Sequence, residues 1–397
     1  MLYRTMCGEK VSWLGMGTMR LPVDAESGQR EKIDRIKATE LIEYAYQNGI
    51  NYFDSAYRYH AGESESFSGE VLAQYPRESY YLASKFPGHM LQYDNGKFEF
   101  VGMLAGFPSP NSIAEVFETQ LQKCHLDYFD FYLLHNIDDR SIEFYTNKDV
   151  GVVEYCLEQK RQGRIRHLGI SAHGRAATIE RFLDAYEGEI EFAQIQLNYL
   201  DWIMQGGKDS YELLKSRGVD VIVMEPVRGG GLANISADAA AIFKEADQEA
   251  SVASWALRWL QDLDGVSIVL SGMSTMEQLQ ENLELFSTEH ALNANQKQVV
   301  SQVISSLVDL IGCTACRYCI EGCPVGLDIP ALISLYNESG YGRSFSLMPK
   351  LMGMPEDESP FACTACGNCV KTCPQGIDAS AVMGRFANRL EKMRSSR

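Results

Sequence analysis

The chain has 397 residues, of which 45% are hydrophobic, and a formal net charge of −17. This length and apolar content predict two or three domains with cores of their own. The negative charge argues against non-specific binding to nucleic acid or to an anionic membrane. We also expect no membrane span and no secretory signal peptide, since the sequence lacks an apolar run of about 18 residues and its first residues do not resemble a signal.

Short β-branched or aromatic runs alternate with longer helical patterns from about residue 10 to residue 288. This alternation is typical of repeated βα units around a parallel sheet. Eight strands and eight helices within fewer than about 300 residues predict a (β/α)8 TIM barrel, an α/β fold. The predicted strands lie near residues 16, 51, 80, 128, 165, 192, 220 and 266.

Two segments stand apart from this alternation. The first, "LYRTMCGEKVSW", predicts a hairpin that covers the bottom of the barrel. The second is a long connection from residue 87 to residue 111, rich in Gly, Phe and Met. Long connections inside compact domains are more often functional than not, so we expect this one to shape an apolar pocket wall.

Four polar side chains stand at the predicted carboxyl ends of strands two, three and four: Asp54, Tyr59, Lys85 and His135. Barrel enzymes place their chemistry at this end of the strands. A lysine held against a carboxylate stays charged and favours a neighbouring phenolate, so we expect the pKa of Tyr59 to fall below about 10. Tyr59 would then protonate a carbonyl oxygen as hydride reaches the carbon, and His135 would hold that oxygen.

On these four residues, in this order, the chain up to about residue 288 resembles the aldo-keto reductase superfamily. The resemblance implies a catalytic tetrad that reduces a small-molecule aldehyde or ketone with a nicotinamide cofactor bound without a Rossmann domain. The stretches "LGMGTMR", "EPVRGGGL" and "SGMSTMEQLQEN" are similar to the family's cofactor loops. The implied cofactor-binding residues are Gly17, Thr18, Met19, Ser171, Gln194, Glu225, Val227, Arg228, Gly229, Gly272, Ser274, Gln278 and Asn282.

Two departures from the family pattern concern the cofactor. Ser171 is followed by Ala172, where the family often has Asn, which weakens the carboxamide site. The loop after strand eight has no Lys or Arg between Val269 and Phe286, where NADP-preferring members commonly hold the 2′-phosphate. Because Arg228 could supply that charge instead, NADP(H) is slightly favoured over NAD(H).

Eight of the eleven cysteines fall into two copies of the motif Cys-x2-Cys-x2-Cys-x3-Cys-Pro. Three thiolates spaced every third residue can hold an iron-sulfur cubane, so the pattern predicts two 4Fe-4S clusters. Zinc or disulfides are the alternatives, but zinc motifs usually have paired cysteine arms far apart. By the ligand crossover of two-cluster ferredoxins, we assign Cys313, Cys316, Cys319 and Cys373 to one cluster and Cys363, Cys366, Cys369 and Cys323 to the other.

The chain is therefore predicted to have three parts. Residues 1–288 form the barrel, 289–311 a linking helix, and 312–397 a small, mostly α-helical ferredoxin-like domain. The whole chain resembles the aldo-keto reductase subgroup that carries such a domain. Eleven cysteines, most of them in cluster motifs, favour a reducing compartment and hence the cytoplasm. Cys7, Cys124 and Cys156 are interpreted as ordinary thiols, and His89 and His167 carry no functional signal.

The presence of both parts on one chain leaves three hypotheses open. A nicotinamide passes two electrons as hydride, whereas each cluster passes one, and no flavin-binding signature is apparent. In the first hypothesis, a carbonyl reductase carries clusters that are structural, sensory or part of a homo-oligomer interface. In the second, the clusters relay electrons between a redox partner protein and the barrel. In the third, the barrel has kept the cofactor but lost turnover, and the protein is regulatory.

Overall fold

The computed structural model describes residues 1–29, 31–307, 311–313, 316–340 and 347–395. This part of the chain forms two compact units. The first unit comprises Met1–Val227 and Ser254–Leu292, and the second comprises Arg228–Ala253 and Asn293–Arg397. None of the helices formed by the described residues is both long enough and apolar enough to cross a membrane.

The first unit is built around a closed parallel barrel, which confirms the predicted TIM barrel. In the described residues eight strands close it in the order β10-β11-β12-β3-β4-β5-β8-β9. The barrel strands are β3 (Leu14–Gly17), β4 (Tyr52–Asp54), β5 (Tyr81–Phe86), β8 (Phe129–Ile137), β9 (Ile165–Ala172), β10 (Phe192–Gln196), β11 (Asp220–Met224) and β12 (Val266–Ser271). Each of them coincides with a predicted strand.

Amphipathic helices surround the barrel. Helix α3 illustrates why they form: Ser112 caps its first turn by accepting a hydrogen bond from the Glu115 backbone, and Val116, Phe117 and Leu121 bury one face. The helices are α1 (Arg35–Gln47), α2 (Ser64–Leu72), α3 (Ile113–Cys124), α4 (Ile142–Thr146), α5 (Val152–Arg161), α6 (Ala176–Ala185), α7 (Asp201–Met204), α8 (Gly207–Ser216), α10 (Val252–Leu260) and α11 (Met276–Leu285).

The predicted amino-terminal hairpin is present and consists of β1 (Tyr3–Met6) and β2 (Glu9–Ser12). Met6 and Val11 are fully buried and belong to the same apolar cluster as Tyr52 and Phe131 of the barrel strands. The hairpin therefore closes the end of the barrel at which the strands begin. This leaves the opposite end, where the strands finish, for the candidate site.

The long connection between β5 and α3 contains a second hairpin. Its strands are β6 (Leu91–Asp94) and β7 (Lys97–Phe100), joined through Asn95 and Gly96 in left-handed conformations. Phe100 is buried, and its ring centroid lies 5.5 Å from that of Tyr57. Packing of these apolar side chains thus orders a segment whose length alone would suggest a loop.

The second unit is helical in its described residues, as predicted for the carboxyl-terminal domain. Its helices are α9 (Ala237–Ala246), α12 (Ala294–Leu307), α13 (Tyr318–Glu321), α14 (Ile329–Gly340), α15 (Leu347–Met352), α16 (Asn368–Lys371) and α17 (Ala379–Ser395). Helix α12 lies within the predicted linking helix and packs against α9. Residues 228–253, which the sequence assigned to the barrel, therefore group with the second unit. The boundaries at residues 288 and 311 stay predictions.

Candidate active site and cluster ligands

A buried ion pair lies at the carboxyl ends of β4 and β5. The Lys85 ammonium donates to Asp54 Oδ1 at 2.5 Å and to the Ser55 carbonyl oxygen at 2.7 Å. The Lys85 side chain is completely buried. Burial lowers the pKa of Lys85, but Asp54 and Tyr59 together raise it by more, so the ammonium stays charged.

A buried polar network supports the backbone of Lys85 from the helix side. Glu65 of α2 is fully buried and accepts hydrogen bonds from Ser84 Oγ at 2.5 Å and from Gln120 Nε2 at 2.6 Å. Gln120 also donates to the Lys85 carbonyl oxygen at 3.1 Å. Hydrogen-bonded buried networks restrict motion, so this one helps to fix the position from which the Lys85 side chain extends.

Tyr59 stands beside the ammonium of this pair. Lys85 Nζ lies 5.0 Å from the centroid of the Tyr59 ring. Burial nevertheless raises the pKa of Tyr59 by more than Lys85 lowers it, so the net shift is upward from 10.0. The expected fall in this pKa is therefore wrong. The sequence revealed the charged neighbour but not the desolvation that outweighs it.

The turn that carries Tyr59 has an unusual backbone. His60 and Ala61 both lie in the left-handed region, with φ values of 52° and 56°. Non-glycine residues rarely adopt this conformation, and such strain clusters at functional sites. The His60 side chain is buried, and its Nδ1 lies 2.9 Å from the Glu31 carbonyl oxygen. This contact helps to hold the turn and hence Tyr59.

His135 completes the predicted tetrad near the end of β8. Pairing of β8 with β9 is irregular between Leu134 and Ile137, and Asn136 has a φ of 59°. Such bulges redirect side chains at the rims of barrels. The His135 and Tyr59 rings lie nearly perpendicular, with centroids 6.2 Å apart. Burial, followed by the neighbouring His89 and Lys85, holds the pKa of His135 well below 6.5, so its imidazole is neutral at neutral pH.

His89 is a neighbour of the tetrad that the sequence did not indicate. Its ring centroid lies 4.6 Å from that of His135, and its Nδ1 donates to the His135 carbonyl oxygen at 3.1 Å. Burial lowers the pKa of His89 to about 4. Tyr145 donates to the same carbonyl oxygen at 2.7 Å. The Tyr145 ring packs directly against Gly88. A Cβ at Gly88 would lie 2.6 Å from this ring, so a side chain there would prevent the contact.

Ser171 and Gln194 are direct neighbours in the register of β9 and β10. Both are almost fully buried. Within the described part of the chain, Ser171 Oγ and Gln194 Oε1 have no hydrogen-bond partner. Buried polar atoms are normally paired, so a hydroxyl group and an amide oxygen are available here to an outside ligand. A carboxamide, with one acceptor and one donor group, fits this pair.

The predicted residues after β3 lie next to the tetrad. Gly17 pairs in register with Asp54, and the Thr18 hydroxyl group donates to the Asp54 carbonyl oxygen at 2.9 Å. Met19 follows in the short 3-10 helix Thr18–Arg20. The segment therefore runs from β3 directly past the ion pair.

The predicted residues after β12 form an ordered loop. The Ser274 backbone donates to Gln278 Oε1 at 2.8 Å, and Asn282 Nδ2 donates to Ser271 Oγ at 3.1 Å. Gln278 and Asn282 thus fix this loop from α11. Gly272 allows a close approach of Arg20, because a Cβ at Gly272 would lie 3.2 Å from Arg20 Cβ. Arg20 is consequently a cation beside the loop, although the loop's own sequence offers none.

The remaining predicted cofactor residues follow β11. Glu225 has a φ of 56°, and its carbonyl oxygen accepts a hydrogen bond from Asn198 Nδ2 at 3.0 Å. Glu225 and Val227 belong to the first unit, whereas Arg228 and Gly229 begin the second. Arg228 is buried, and both Arg228 and Gly229 adopt left-handed conformations.

The described residues of the two cysteine motifs share two local features in the second unit. Each places its third cysteine in a one-turn helix, α13 or α16, preceded by a left-handed residue, Arg317 or Gly367. One cavity gathers cysteines of both motifs. It is lined by Cys313, Cys316, Cys319, Cys369 and Cys373. Closely spaced free thiols of this kind fit an iron-sulfur cluster, whose iron atoms are held by thiolates.

The cavity contains the four cysteines assigned to the first cluster, including Cys373 of the second motif. The Ile377 backbone donates a hydrogen bond to Cys373 Sγ at 3.4 Å. Hydrogen bonds to cluster sulfurs help to set reduction potentials. In the second motif, burial and then the neighbouring Cys363 and Cys366 raise the pKa of Cys369.

Comparison with known proteins identifies two matched regions along the chain. Residues 13–304 match the aldo/keto reductase family, and residues 312–377 match a 4Fe-4S dicluster domain. A methylglyoxal reductase described as NADH-specific, from Escherichia coli strain K12, is 26% identical over 329 residues, covering 76% of this chain and 96% of the relative. L-galactose dehydrogenase from Arabidopsis thaliana is 26% identical over 309 residues, covering 73% and 89%.

Solved structures of aldo-keto reductases share the fold of this chain. The holo form of aldo-keto reductase AKR11C1 from Bacillus halodurans matches with a TM-score of 0.56 and 25% identity, covering 76% of this chain and 96% of that one. An aldo-keto reductase from Klebsiella pneumoniae in complex with NADPH shares the fold, with a TM-score of 0.57 at 19% identity, covering 77% and 96%. The chain belongs to the aldo/keto reductase family of oxidoreductases and carries a carboxyl-terminal 4Fe-4S domain.

Proposed function

We propose that this protein reduces a small aldehyde or ketone to an alcohol with NAD(P)H, and that Tyr59 donates the proton. The observation that carries the proposal is the buried Lys85–Asp54 pair beside the Tyr59 ring, at the end of the barrel where the strands finish. A charged, desolvated ammonium next to a phenol is an arrangement that supports loss of the phenolic proton, and such perturbed groups cluster at functional sites.

Binding of the cofactor is the first task of the site. When bound, the reduced nicotinamide supplies the hydride. Ser171 Oγ can donate to the carboxamide oxygen of that ring, and Gln194 Oε1 can accept from its amide nitrogen. These two contacts would orient the ring so that one face is turned toward the substrate carbon.

Proton delivery is the second task. With its pKa above 10.0, Tyr59 is protonated at neutral pH and is ready to donate. As hydride reaches the carbonyl carbon, the oxygen gains negative charge and takes the phenolic proton, which yields the alcohol. The Lys85 ammonium stabilises the phenolate that is left. Neutral His135 can hydrogen-bond the same oxygen and hold it within reach of Tyr59.

Turnover of a panel of aldehydes and ketones under anaerobic conditions tests this proposal. We expect at least one carbonyl to be consumed, with one alcohol formed for each reduced cofactor oxidised. Cofactor binding without turnover of any panel member would contradict the proposal and favour a regulatory protein.

For the cofactor we propose a slight preference for NADP(H), supported by Arg20 beside the β12 loop. Because a hydrogen bond to a charged group contributes about 1.5–3 kcal/mol, Arg20→Ala should weaken NADPH binding by about tenfold or more and NADH binding by less. Titration of both cofactors into this variant and into the exposed control Arg161→Ala measures the effect. Equal weakening for both cofactors, or tighter binding of NADH by the unaltered protein, would contradict the preference.

For the second unit we propose two 4Fe-4S clusters with crossed ligands. A double variant that removes two ligands of one cluster should leave the other cluster intact. We therefore expect Cys316→Ala/Cys373→Ala to keep about four iron atoms per chain, and Cys316→Ala/Cys323→Ala to disturb both clusters. Iron content and the paramagnetic signal of the reduced protein measure this, with Cys156→Ala as a non-ligand control. The reverse pattern would show that the ligands are not crossed.

We propose that these clusters support the fold of the second unit. Its apolar core includes Leu332 and Phe386, and Cys313, Cys323 and Cys363 pack against this core. Cluster binding can thus contribute folding energy, as structural metal sites do. A redox partner protein is needed only if the clusters relay electrons. Because so many thiols must stay reduced, we expect the protein to work in the cytoplasm.

A further inference from the structure

A second group of metal-ligating side chains lies at the other end of the barrel, where the strands begin. The ligand atoms of Cys7, His167 and Glu191 all lie within 4.8 Å of one another. Cys7 is in the turn between β1 and β2, His167 is near the start of β9, and Glu191 directly precedes β10. We propose that this group binds a divalent cation of the zinc class.

The chemistry of the three donor groups favours zinc. Thiolate, imidazole and carboxylate are the three side-chain ligands that zinc takes in proteins. With bonds of about 2.0–2.3 Å, tetrahedral ligand atoms lie roughly 3.3–3.8 Å apart. His167 Nδ1 and Glu191 Oε1 are 2.9 Å apart and share a hydrogen bond, which a bound ion would replace. Small side-chain rotations would therefore bring the three groups around one ion.

Surrounding charge favours a cation at this position. Asp220 Oδ2 accepts a hydrogen bond from the Cys7 backbone at 2.7 Å, and Glu9 Oε1 lies 3.9 Å from His167 Nε2. Lys160 forms an ion pair with Glu191 at 2.7 Å. The surroundings thus contain three carboxylates, those of Glu9, Glu191 and Asp220. They contain one ammonium group, that of Lys160, and one imidazole, that of His167. A divalent ion would balance this excess of negative charge.

The turn itself does not require a cysteine. Cys7 and Gly8 have φ values of 52° and 86°, and Asn95 and Gly96 in the β6–β7 hairpin have values of 49° and 80°. Asn-Gly is the ordinary choice for such two-residue turns, because both residues must be left-handed. The chain thus places a thiol, at a position where asparagine would suffice, directly against an imidazole and a carboxylate.

An ion here would join the amino-terminal hairpin to β9 and β10. Because the group lies at the opposite end of the strands from Tyr59, its expected effect is on stability and not on hydride transfer. The inference is therefore independent of the proposed function.

Zinc retention by the cluster-loaded protein tests the site. The protein is incubated with zinc chloride and passed over a weak chelating resin, and zinc and iron are then measured by elemental analysis. We expect about one zinc ion per chain for the unaltered protein and loss of that zinc in Cys7→Asn and His167→Gln. Cys7→Asn reproduces the Asn-Gly turn of the other hairpin, so it should fold.

Asn95→Cys is the matched control, because it places a thiol in an equivalent turn without these partners. It should retain about one zinc ion and not two. Zinc should also raise the melting temperature of the unaltered protein but not that of Cys7→Asn. The proposal is overturned if Cys7→Asn retains as much zinc as the unaltered protein, if the unaltered protein retains none, or if zinc appears only in proportion to iron lost.

Discussion

Replacing Tyr59 with phenylalanine is expected to lower kcat for carbonyl reduction by about 10²- to 10⁴-fold, the usual contribution of a positioned general acid. Phenylalanine keeps the ring and its packing but has no proton to donate. Cofactor affinity should change little, because the ring carboxamide is assigned to Ser171 and Gln194. Steady-state kinetics and cofactor titration of the same preparation measure both quantities.

Tyr44→Phe is the matched control, since it removes a phenolic hydroxyl group from α1, away from the strand ends. It should leave kcat within about twofold of the unaltered protein. If Tyr59→Phe also kept kcat within a few fold, Tyr59 would not be the proton donor.

The raised pKa of Tyr59 also sets the pH dependence. Reduction needs the protonated phenol, and an upward shift from 10.0 keeps it protonated through neutral pH. The kcat/KM for reduction should therefore stay level between about pH 7 and about pH 9 and fall at higher pH. In Tyr59→Phe the fall at high pH should disappear.

Lys85→Met is expected to destabilise the barrel by about 3–5 kcal/mol, because it leaves the buried carboxylate of Asp54 without its partner. It should also abolish most activity, since the phenolate of Tyr59 loses its stabilising charge. The four tryptophans of the sequence, Trp13, Trp202, Trp255 and Trp259, all belong to the first unit. Denaturant unfolding followed by tryptophan fluorescence therefore reports on the barrel.

Two further variants test whether the loss of stability comes from the buried ion pair. Lys208→Met removes an exposed i, i+4 pair with Glu212, at 3.7 Å, and should cost no more than about 0.5 kcal/mol. The double variant Asp54→Asn/Lys85→Met removes both charges and should recover much of the lost stability without recovering activity. A cost for Lys85→Met as small as that for Lys208→Met would show that the ion pair is not buried in solution.

The spatial grouping of the four predicted tetrad residues could be predicted from the sequence because each lies at or soon after the carboxyl end of a strand with a clear pattern. In a parallel barrel the ends of successive strands lie side by side, so positions 54, 85 and 135 converge whatever the intervening helices do. The barrel strands themselves could be predicted because each is a short apolar run with a clear start and end in the sequence.

Other features depend on contacts that a sequence pattern does not contain. Glu65 and Gln120 appear as polar residues of surface helices, yet both are fully buried beneath Lys85. His89 and Arg20 gain their significance from neighbours far along the chain, His135 and Gly272. The direction of the Tyr59 pKa depends on how much protein surrounds the ring, and charge pattern alone predicted the wrong sign.

Anaerobic mixing of the cluster-loaded protein with NADPH, and separately with NADH, tests most directly whether the barrel performs carbonyl reduction on its own. Cofactor fluorescence, cluster absorbance and the paramagnetic signal are followed before and after addition of a carbonyl substrate identified from the panel. We predict that the clusters stay oxidised throughout, while cofactor oxidation begins only with the carbonyl and matches alcohol formation one to one. Reduction of the clusters by NADPH or NADH before any carbonyl is present would contradict this account and place the clusters on an electron path.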